Sequence, residues 1–516
     1  MYQQGSRLCQ ASGRTNNLVA SELNSPVLPW EIFDLVIANV AGASSPDDNS
    51  DETGNLLACC LVCKSFVRLC RQYLFFKVCI RLSARDISGP PKRLVQLMEK
   101  DRSISRFIRE LCYSFKEIGK AEETPSPMEA LLDLPRLRSL TLEEDRDIHN
   151  PEYFSYKMVT PTLFACRLLD NYLSAGTLVS LSVRGIAELP VLDILSSPNL
   201  THLDVESCHF DEDDCLALLR NHAVHVFNLR TLKGRPFPYV LLALLFACCP
   251  QLETIDLDWV DWDDLDFKPV VLTQSLSTII TQCYIRWDVF CTAAKEQNAY
   301  AFPGVKRLEV RQVPFHTTTE VRSGLNILFE HLPGLEHLYL SGMLNYPRVS
   351  PQTSMLNDGS VGLVHSLSTI AFSRCIINTA SSLKTLKIRW SDERNVEISS
   401  IINKLCVALS AVRGCNVLED LDLHLSIQEG IPTTAWSNFS FATWSRLDEV
   451  LLDDNLLNFP FLSGVSIAID WSGEQAGEGV YEDPVMAEAL KVPLKRLFSS
   501  VDIAFNCRVM LPTSSR

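Results

Sequence analysis

Apolar residues recur with a helical period near the start of the chain. Residues 28–40, LPWEIFDLVIANV, carry them at spacings of three and four, which predicts a helix. Pro29 suits the first turn of that helix, where its missing N–H leaves no hydrogen bond unmade. The residues that share the predicted apolar face are Leu28, Ile32, Leu35, Val36 and Val40.

Two further segments follow this helix. Residues 41–55, AGASSPDDNSDETGN, are small and acidic and predict a solvated loop. Residues 56–76, LLACCLVCKSFVRLCRQYLFF, return to helical spacing. The sequence therefore predicts two or three short helices, a module too small to bury a large core by itself.

The period changes to two at residues 78–82, where Val78, Ile80 and Leu82 alternate with polar residues and predict a strand. Beyond it, ten segments share an apolar first position, an apolar fourth position and usually an apolar sixth. The first positions are Leu137, Leu178, Leu200, Leu229, Leu252, Val305, Leu335, Leu383, Leu418 and Leu447.

The positions of five prolines support the interpretation of these segments as repeats. Proline stands two residues before the first apolar position in five of the ten segments, where it ends a helix and begins an extended stretch. These residues are Pro135, Pro198, Pro250, Pro303 and Pro333. Helix-like stretches between the segments include Tyr239–Cys249, YVLLALLFACC, which predicts a buried helix too short to span a bilayer.

The pattern predicts an α/β fold in which an irregular leucine-rich-repeat-like solenoid follows the helical module. We expect one parallel sheet to contain the segments Leu137–Leu142, Leu200–Val205, Leu252–Leu257, Leu335–Leu340 and Leu418–Leu423. The long intervals after Leu252 and after Leu335 each leave room for one degenerate repeat. The alternative is an ordinary α/β domain with unevenly spaced strands.

Composition and charge narrow the function classes. Hydrophobic residues make up 47% of the 516 residues, which excludes a mainly disordered chain. The formal net charge of −15 argues against nucleic-acid binding, which rests on neutralising phosphates with cations. Eighteen cysteines, scattered mostly through apolar stretches with no apolar leader sequence, predict reduced thiols in a cytoplasmic or nuclear protein without a membrane span.

Three sequence blocks resemble an F-box motif. Leu28, Pro29, Glu31 and Ile32 match its start, and Leu61, Val62, Cys63 and Lys64 match its centre. Leu74, Phe75 and Val78 match its end. Phe66 stands where the family usually has tryptophan, and the acidic loop 41–55 is longer than the usual connection. The leucine-rich region behind the motif is similar to the target-binding half of fungal-type F-box proteins.

The resemblance implies a substrate-receptor subunit of a Skp/cullin/F-box-type ubiquitin ligase, without chemistry or a cofactor of its own. It divides the chain into a flexible tail, 1–24, a helical F-box-like module, 25–80, and a solenoid, 81–516. The module would bind the adaptor subunit of the ligase and the solenoid an unknown target protein. The expected adaptor-binding residues are Leu28, Pro29, Ile32, Leu57, Leu61, Val62 and Phe66.

Other interpretations of these residues stay open. The apolar helices could instead cap the solenoid, and the chain could be a leucine-rich scaffold without a ubiquitin role, or an enzyme whose site is unrecognised. Cys60 and Cys63 have metal-like spacing with Cys70 nearby, but core packing is the better interpretation because four ligands are not complete.

Two acidic runs also have more than one interpretation. One acidic cluster lies around Trp259 and Trp262 and contains Asp256, Asp258, Asp261, Asp263, Asp264 and Asp266. It either contacts a basic partner or forms a solvated acidic surface. The run 211–214 suits the first turn of a following helix, where acidic side chains complement the helix dipole.

Overall fold

A computed structural model shows two compact units, residues 1–77 and residues 78–516. The structure describes residues 30–42, 49–62, 64–81, 90–115, 126–144, 154–155, 164–210, 226–258, 260–261, 274–282, 285–296, 299–311, 325, 327–343, 376–392, 398–427, 441–452, 458–470, 480–482 and 484–512. The expected tail, 1–24, and the first two expected adaptor contacts, Leu28 and Pro29, lie outside these residues.

The described residues of the first unit form three helices, α1 (Trp30–Gly42), α2 (Asn49–Val62) and α3 (Lys64–Leu74). Its core forms where Ile37, Leu56 and Cys70 meet, one residue from each helix. The prediction of a loop over 41–55 is wrong at both ends, because α1 includes residues 41 and 42 and α2 begins at Asn49. Asn, Ser and Asp are favoured at helix starts, so this polar run begins the helix.

In the part of the second unit that the structure describes, fifteen strands form one main sheet. Its strands, in spatial order, are β1 (Lys77–Arg81), β2 (Glu110–Phe115), β3 (Ser139–Glu144), β5 (Ser180–Arg184), β7 (His202–Glu206), β8 (Thr231–Arg235), β10 (Thr254–Leu257), β12 (Thr278–Gln282), β13 (Arg307–Arg311), β14 (His337–Met343), β15 (Thr385–Asp392), β16 (Asp420–Ile427), β17 (Gly464–Asp470), β19 (Ala504–Pro512) and β18 (Val480–Glu482). From β2 to β19 successive neighbours pair in parallel, and β18 pairs antiparallel with β19. This order confirms the predicted α/β solenoid, in which each strand adds beside the one before it.

Smaller elements fill the connections. Two short strand pairs form beside the main sheet, β4 (Phe154–Ser155) with β6 (Ile186–Ala187) and β9 (Phe237–Pro238) with β11 (Val260–Asp261). The labelled helices of this unit are α4 (Pro90–Lys100), α5 (Phe164–Ala175), α6 (Val191–Ser196), α7 (Tyr239–Cys248), α8 (Trp287–Glu296), α9 (Ile398–Ser410), α10 (Phe441–Leu451), α11 (Pro484–Lys491) and α12 (Lys495–Ser499), with 3₁₀ turns at Ile104–Arg106 and Ser126–Leu132.

Most strands of the main sheet bury alternate residues, as a sheet with one core face requires. In β3, for example, Leu140 and Leu142 are fully buried while Thr141 between them is only half-buried. The register places Leu140 beside Leu181 and Leu181 beside Leu203, so the core leucines form continuous rows across the strands. All ten predicted first positions are buried, and in nine of the ten segments a strand begins two residues after that position.

The helices pack their apolar residues into the same core. Helix α7 is buried on every side, as its apolar sequence predicts. Its Phe246 ring lies 5.1 Å from Phe290 of α8 and 5.7 Å from Phe302, both edge-to-face. Among the described residues, no helix is long and apolar enough to cross a membrane.

One backbone feature recurs at each step along the sheet from β2 to β17. The carbonyl group just before a strand accepts two N–H groups from the equivalent position of the next repeat. The oxygen of Arg109, for example, accepts from Arg138 at 2.8 Å and from Ser139 at 3.0 Å. The same paired bonds reach the oxygens of Arg138, Val179, Thr201, Arg230, Glu253, Ser277, Lys306, Glu336, Lys384 and Glu419. These shared-carbonyl junctions join repeats of very different length in one geometry.

Nine of the ten predicted segments are strands, and the tenth is wrong. Segment 445–452 belongs to helix α10, where Trp444, Leu447 and Leu451 are buried. Their spacing of three and four residues satisfies a helix as well as the repeat pattern, and no proline precedes this segment to end a helix.

The two long intervals differ. The interval after Leu252 does contain a repeat, with buried Leu276 before β12. After Leu335 the expectation is wrong, because β14 pairs directly with β15 and leaves no place for a strand between them in the sheet. Strands β2, β17 and β19 were not among the predicted segments, although Ile108 and Leu462 hold buried positions two residues before β2 and β17.

Candidate functional site

Two helices of the first unit expose apolar stripes. On α1, Ile32, Leu35 and Val36 are 39%, 62% and 51% exposed at i, i+3 and i+4. On α2, Leu57, Leu61 and Val62 are 53%, 88% and 68% exposed. We call these the α1 stripe and the α2 stripe. Residues three and four apart are neighbours on a helix surface, so the α1 stripe is a continuous apolar strip and Leu57 lies next to Leu61 on α2.

Exposed apolar side chains are concentrated in this small unit. Of fifteen large hydrophobic residues exposed among the described residues, seven lie in the first 77 positions: the two stripes and Phe76. The rest lie far apart along the second unit. Scattered exposed apolar residues are ordinary, but a concentration of this kind makes the surface a candidate site for binding another molecule.

Contacts on the inner sides of the helices fix which residues point outward. Ile37 of α1 is 1% exposed, and Val40 and Ala41 pack against the same core. The Asp34 carboxylate accepts a hydrogen bond from Gln72 of α3 at 2.8 Å. This core and bond hold α1 in an orientation that leaves the α1 stripe on its outer side.

The structure brings most of the predicted adaptor contacts to the surface. Ile32, Leu57, Leu61 and Val62 lie in the two stripes, whereas Phe66 is half-buried and its ring stands 5.4 Å from Phe33. Phe66 thus acts as an aromatic plug between α1 and α3.

The predicted apolar face of α1 is divided in a way that the sequence did not reveal. Val40 packs inward, whereas Leu35 and Val36 of the same predicted face are exposed. Ile37, outside the predicted face, supplies the buried contact. The sequence does show that α1 is apolar on more than one face, which indicates that a second face, here that of Ile37, can supply the buried contact.

The cysteines of this unit are packing residues. Cys70 is fully buried in the core, with Cys59 and Cys60 packed against it, whereas Cys63 lies outside the described residues. Burial, reinforced by Cys60, raises the pKa of Cys70 to about 12, which keeps the thiol protonated and poorly suited to bind a metal. Within the described residues, no group of three or more His, Cys, Asp or Glu side chains could hold a metal ion, and no cysteine there forms a disulfide.

The second unit presents a different surface, the outer face of its main sheet. We call this the polar face, because hydroxyl and charged side chains alternate there with the buried residues of each strand. One row across the strands consists of Ser139, Ser180, His202, Thr231, Thr254, Thr278, Arg307, His337, Thr385 and Asp420. The next rows along the strands carry most of the charges.

Ion pairs join neighbouring strands of the polar face. Arg184 of β5 lies 3.1 Å from both Glu143 of β3 and Glu206 of β7. Lys233 of β8 lies 3.6 Å from Asp204 of β7. These groups are partly exposed, so each pair contributes only about 0–1 kcal/mol to stability.

A denser ionic cluster lies over β10 and β13. Arg311 of β13 donates to Asp256 at 3.1 Å and to Glu309 at 2.9 Å, and Asp258 lies 3.7 Å away and also pairs with Arg235. Burial raises the pKa of Asp256, although the Arg311 charge opposes that shift.

The expectation of a solvated acidic surface around Asp256 is therefore wrong for its first two aspartates, whose partner Arg311 lies 55 residues along the chain. Strand Val260–Asp261 is part of a short strand pair. Trp259, Trp262, Asp263, Asp264 and Asp266 lie outside the described residues, as do the acidic run 211–214 and the helix predicted after it.

A groove opens on the polar face over β13, β14 and β15. It encloses about 530 Å³, within the range of about 300–1,000 Å³ typical of ligand sites. Its lining residues are Arg307, Glu309, His337, Leu338, Tyr339, Thr385 and Lys387. We call it the basic groove, because its exposed charged side chains, Arg307 and Lys387, are both cationic.

Neither a protein-family model nor a curated protein sequence matches this chain. Two solved structures, both leucine-rich-repeat solenoids, are similar to it over much of its length. An internalin from Listeria monocytogenes is 11% identical and covers 82% of this chain and 98% of its own, with a TM-score of 0.32. TLR13 in its complex with ssRNA13 is 11% identical and covers 84% of this chain and 65% of its own, with a TM-score of 0.27. At such scores the α/β solenoid assignment rests on the strand order and register described above.

Proposed function

We propose that this chain is a substrate-receptor subunit of a Skp/cullin/F-box-type ubiquitin ligase. The three-helix unit would bind the adaptor subunit, and the solenoid would hold a target protein. The observation that carries the proposal is the pair of apolar stripes, which occupy the segment where the sequence resembles an F-box motif.

The stripes suit a helix-in-groove contact. An adaptor groove would cover Ile32, Leu57, Leu61 and Val62 and remove from water the side chains that are now 39% to 88% exposed. Leu35 and Val36 would extend the contact along α1. Burying a leucine side chain contributes about 1.5–3 kcal/mol, so a few such residues suffice for a stable complex.

The polar face supplies the other half of the proposal. Adjacent strands place hydroxyl and charged side chains in regular rows, a pattern that offers a target protein many polar contacts on a rigid support. The receptor would then act by proximity: it holds a target lysine near a charged conjugating enzyme and raises the effective concentration of the reaction. In this proposal, no group of this chain takes part in bond making.

Co-expression with the adaptor, followed by size-exclusion chromatography, tests the proposal. We expect the wild type to co-elute with the adaptor at 1:1. A Leu57→Asp, Leu61→Asp variant should no longer co-elute with the adaptor. Each leucine contributes about 1.5–3 kcal/mol when buried, and each 1.4 kcal/mol changes the affinity tenfold. The affinity for the adaptor should therefore fall about a hundredfold or more. Both positions are exposed, so the variant should keep its circular-dichroism spectrum.

The matched control is Val492→Asp, Val501→Asp. It places two aspartates at apolar positions that are 78% and 98% exposed in the second unit, and it should still bind the adaptor. A Leu28→Asp variant tests the predicted contact that precedes α1. Adaptor binding that survives the Leu57 and Leu61 substitutions would reject the α2 stripe as the contact, and a folded wild type that never binds the adaptor would reject the ligase role.

The alternative function is a leucine-rich interaction scaffold without a ubiquitin role. The polar face and its groove support protein binding in either case. A wild type that ignores the adaptor but binds a protein through the solenoid would favour this alternative.

A further inference from the structure

We propose that the basic groove binds an acidic peptide segment of the target protein, an inference that rests on the proposed role of the solenoid as a receptor. The groove differs in charge from the chain that contains it. The whole chain has a formal net charge of −15. In contrast, β13, β14, β15 and the residue before each strand carry six basic residues against Glu309, Glu336 and Asp392: Lys306, Arg307, Arg311, Lys384, Lys387 and Arg389.

Carboxylates near the groove are shared between cations. Glu309 accepts from Arg311 at 2.9 Å and lies 3.4 Å from Arg307, so its shorter contact is made outside the groove lining. Glu336 lies 3.2 Å from Lys306 and 2.9 Å from Lys384. Hydrogen bonds from Lys384 and Lys306 lower the pKa of Glu336, as expected for a carboxylate between two ammonium groups. Glu336 is thus shared by two ammonium groups, whereas Arg311 is itself shared by Glu309, Asp256 and Asp258.

The cations keep donors available for a ligand. The Arg307 side chain is 56% exposed and contacts Glu309 through one terminal nitrogen, although a guanidinium group carries five N–H donors. Lys387 is 50% exposed, and its contact with Asp422 is long, at 3.6 Å. A peptide carboxylate can therefore approach both side chains without displacing a tight ion pair.

The shape of the groove favours an extended chain over a small enclosed ligand. The lining residues come from three adjacent strands, which are about 4.8 Å apart, so the site runs across the strands on an open face. Tyr339 lies on the middle strand, with Glu309 and Lys387 beside it in the same row. It offers an aromatic surface beside Lys387, while Glu309 on its other side is paired with Arg311 and Arg307. The arrangement therefore fits a segment with an apolar side chain over Tyr339 and acidic side chains toward Lys387 and Arg307.

The charge pattern beside the groove limits where such a segment can lie. On the side of higher residue numbers, the adjacent strand β16 carries Asp420 and Asp422 on the polar face. On the other side, the adjacent strand β12 presents the uncharged residues Thr278, Ile280 and Gln282 in the same rows. An acidic segment is therefore attracted over β13 to β15 and repelled beyond β15, and such like-charge repulsion contributes to position and specificity.

The test measures binding of the full chain to an array of nine-residue peptides. Acidic peptides with four Asp or Glu residues and an aromatic residue at varied positions are compared with the same sequences in Asn and Gln. We expect at least a tenfold preference for the acidic set at low salt, which weakens as the salt concentration rises because the contacts are exposed.

Two charge-reversal variants locate the site. In the Arg307→Glu, Lys387→Glu variant, the preference for acidic peptides over their Asn and Gln counterparts should fall at least tenfold. The matched control Arg93→Glu, Lys100→Glu changes the net charge by the same amount at exposed positions of α4, and it should bind within twofold of the wild type.

Several results would overturn the proposal: no preference for acidic peptides, a preference that survives reversal in the groove, or equal loss in the control. Single-stranded oligonucleotides that bind the groove more tightly than the peptides would also overturn it. The adaptor experiment is independent of these measurements. If the adaptor fails to bind while the groove still selects acidic peptides, the ligase role falls and the groove assignment stands.

Discussion

Asp448 offers a direct test of how the last repeats are held together. Its side chain lies on α10 and is 4% exposed. One carboxylate oxygen accepts from the Arg496 N–H at 3.0 Å and the other from the Leu497 N–H at 2.9 Å, at the start of α12. Arg496 in turn donates to the Leu452 carbonyl at the end of α10, at 2.8 Å. The two helices therefore cap each other.

The Asp448→Ala substitution removes both acceptors and leaves two helix-terminal N–H groups without them. A fully buried group of this kind costs about 1–3 kcal/mol, and the Arg496 N–H is only partly buried. We therefore expect the last repeats to lose about 2–4 kcal/mol of unfolding free energy, below the upper limit for two buried groups. Asp448→Asn keeps an amide oxygen that can accept one of the bonds, so its loss should be about half as large.

Hydrogen exchange followed by mass spectrometry measures this effect locally, which matters because a solenoid can open one end before the other. In the Ala variant, peptides covering α10 and α12 should exchange about 30-fold to 1,000-fold faster, at 1.4 kcal/mol per tenfold. Peptides covering β3 to β8 should not change. Unchanged exchange at α12 would refute the conclusion that Asp448 caps this helix. Uniformly faster exchange along the whole sheet would refute the conclusion that the effect is confined to the last repeats.

Three further substitutions follow from packing and burial. An added methyl at Gly304 would stand 2.4 Å from the Gln274 carbonyl oxygen, so Gly304→Ala should lower the melting temperature by several degrees in a thermal scan. At Gly54, in α2, nothing lies within 4 Å, so Gly54→Ala should stabilise the first unit against urea by up to about 1 kcal/mol, and a loss would show that this helix is strained. Burial lowers the pKa of His331, whose Nδ1 accepts from the Ala301 N–H, below its usual value. The unfolded state then binds more protons, so stability should fall as the pH drops through about 6.5, and urea titrations of His331→Gln should show a shallower fall.

Much of the solenoid could be predicted because its repeats depend on local chemistry. A buried leucine lies two residues before the strand, and a proline often lies two residues before that leucine. Both residues can be recognised in the sequence, as at Pro198 and Leu200, so the start of the strand can be predicted from them. The pattern failed at Leu447, where spacings of three and four fit a helix equally well. It missed β12 because Thr281 occupies a buried position that an apolar residue usually holds. That hydroxyl accepts the indole N–H of Trp287 at 3.2 Å, a partner no periodicity could identify.

The candidate sites divide in the same way. Exposure of Leu57 and Leu61 agrees with the binding surface expected from the motif, because a helix pattern fixes which residues share a side. The pattern could not decide which side of α1 faces the core, since that depends on Ile37 meeting residues of two other helices. The basic groove was invisible to the sequence, because its charges come from strands separated by variable intervals. Arg307 and Lys387 are 80 positions apart and line one groove only through the strand register.

The shared-carbonyl junctions have a consequence for how such a chain can change its length. Each junction is the same whether 22 residues separate it from the next, as between Val179 and Thr201, or 48, as between Glu336 and Lys384. A segment bounded by two equivalent junctions is therefore an exchangeable cassette, and removing one brings together ends that already fit. Deleting residues 277–305 would place Lys306 directly after Leu276, with its strand next to β10. Gain and loss of whole repeats could then reshape the polar face in single steps and leave the rest of the sheet in register.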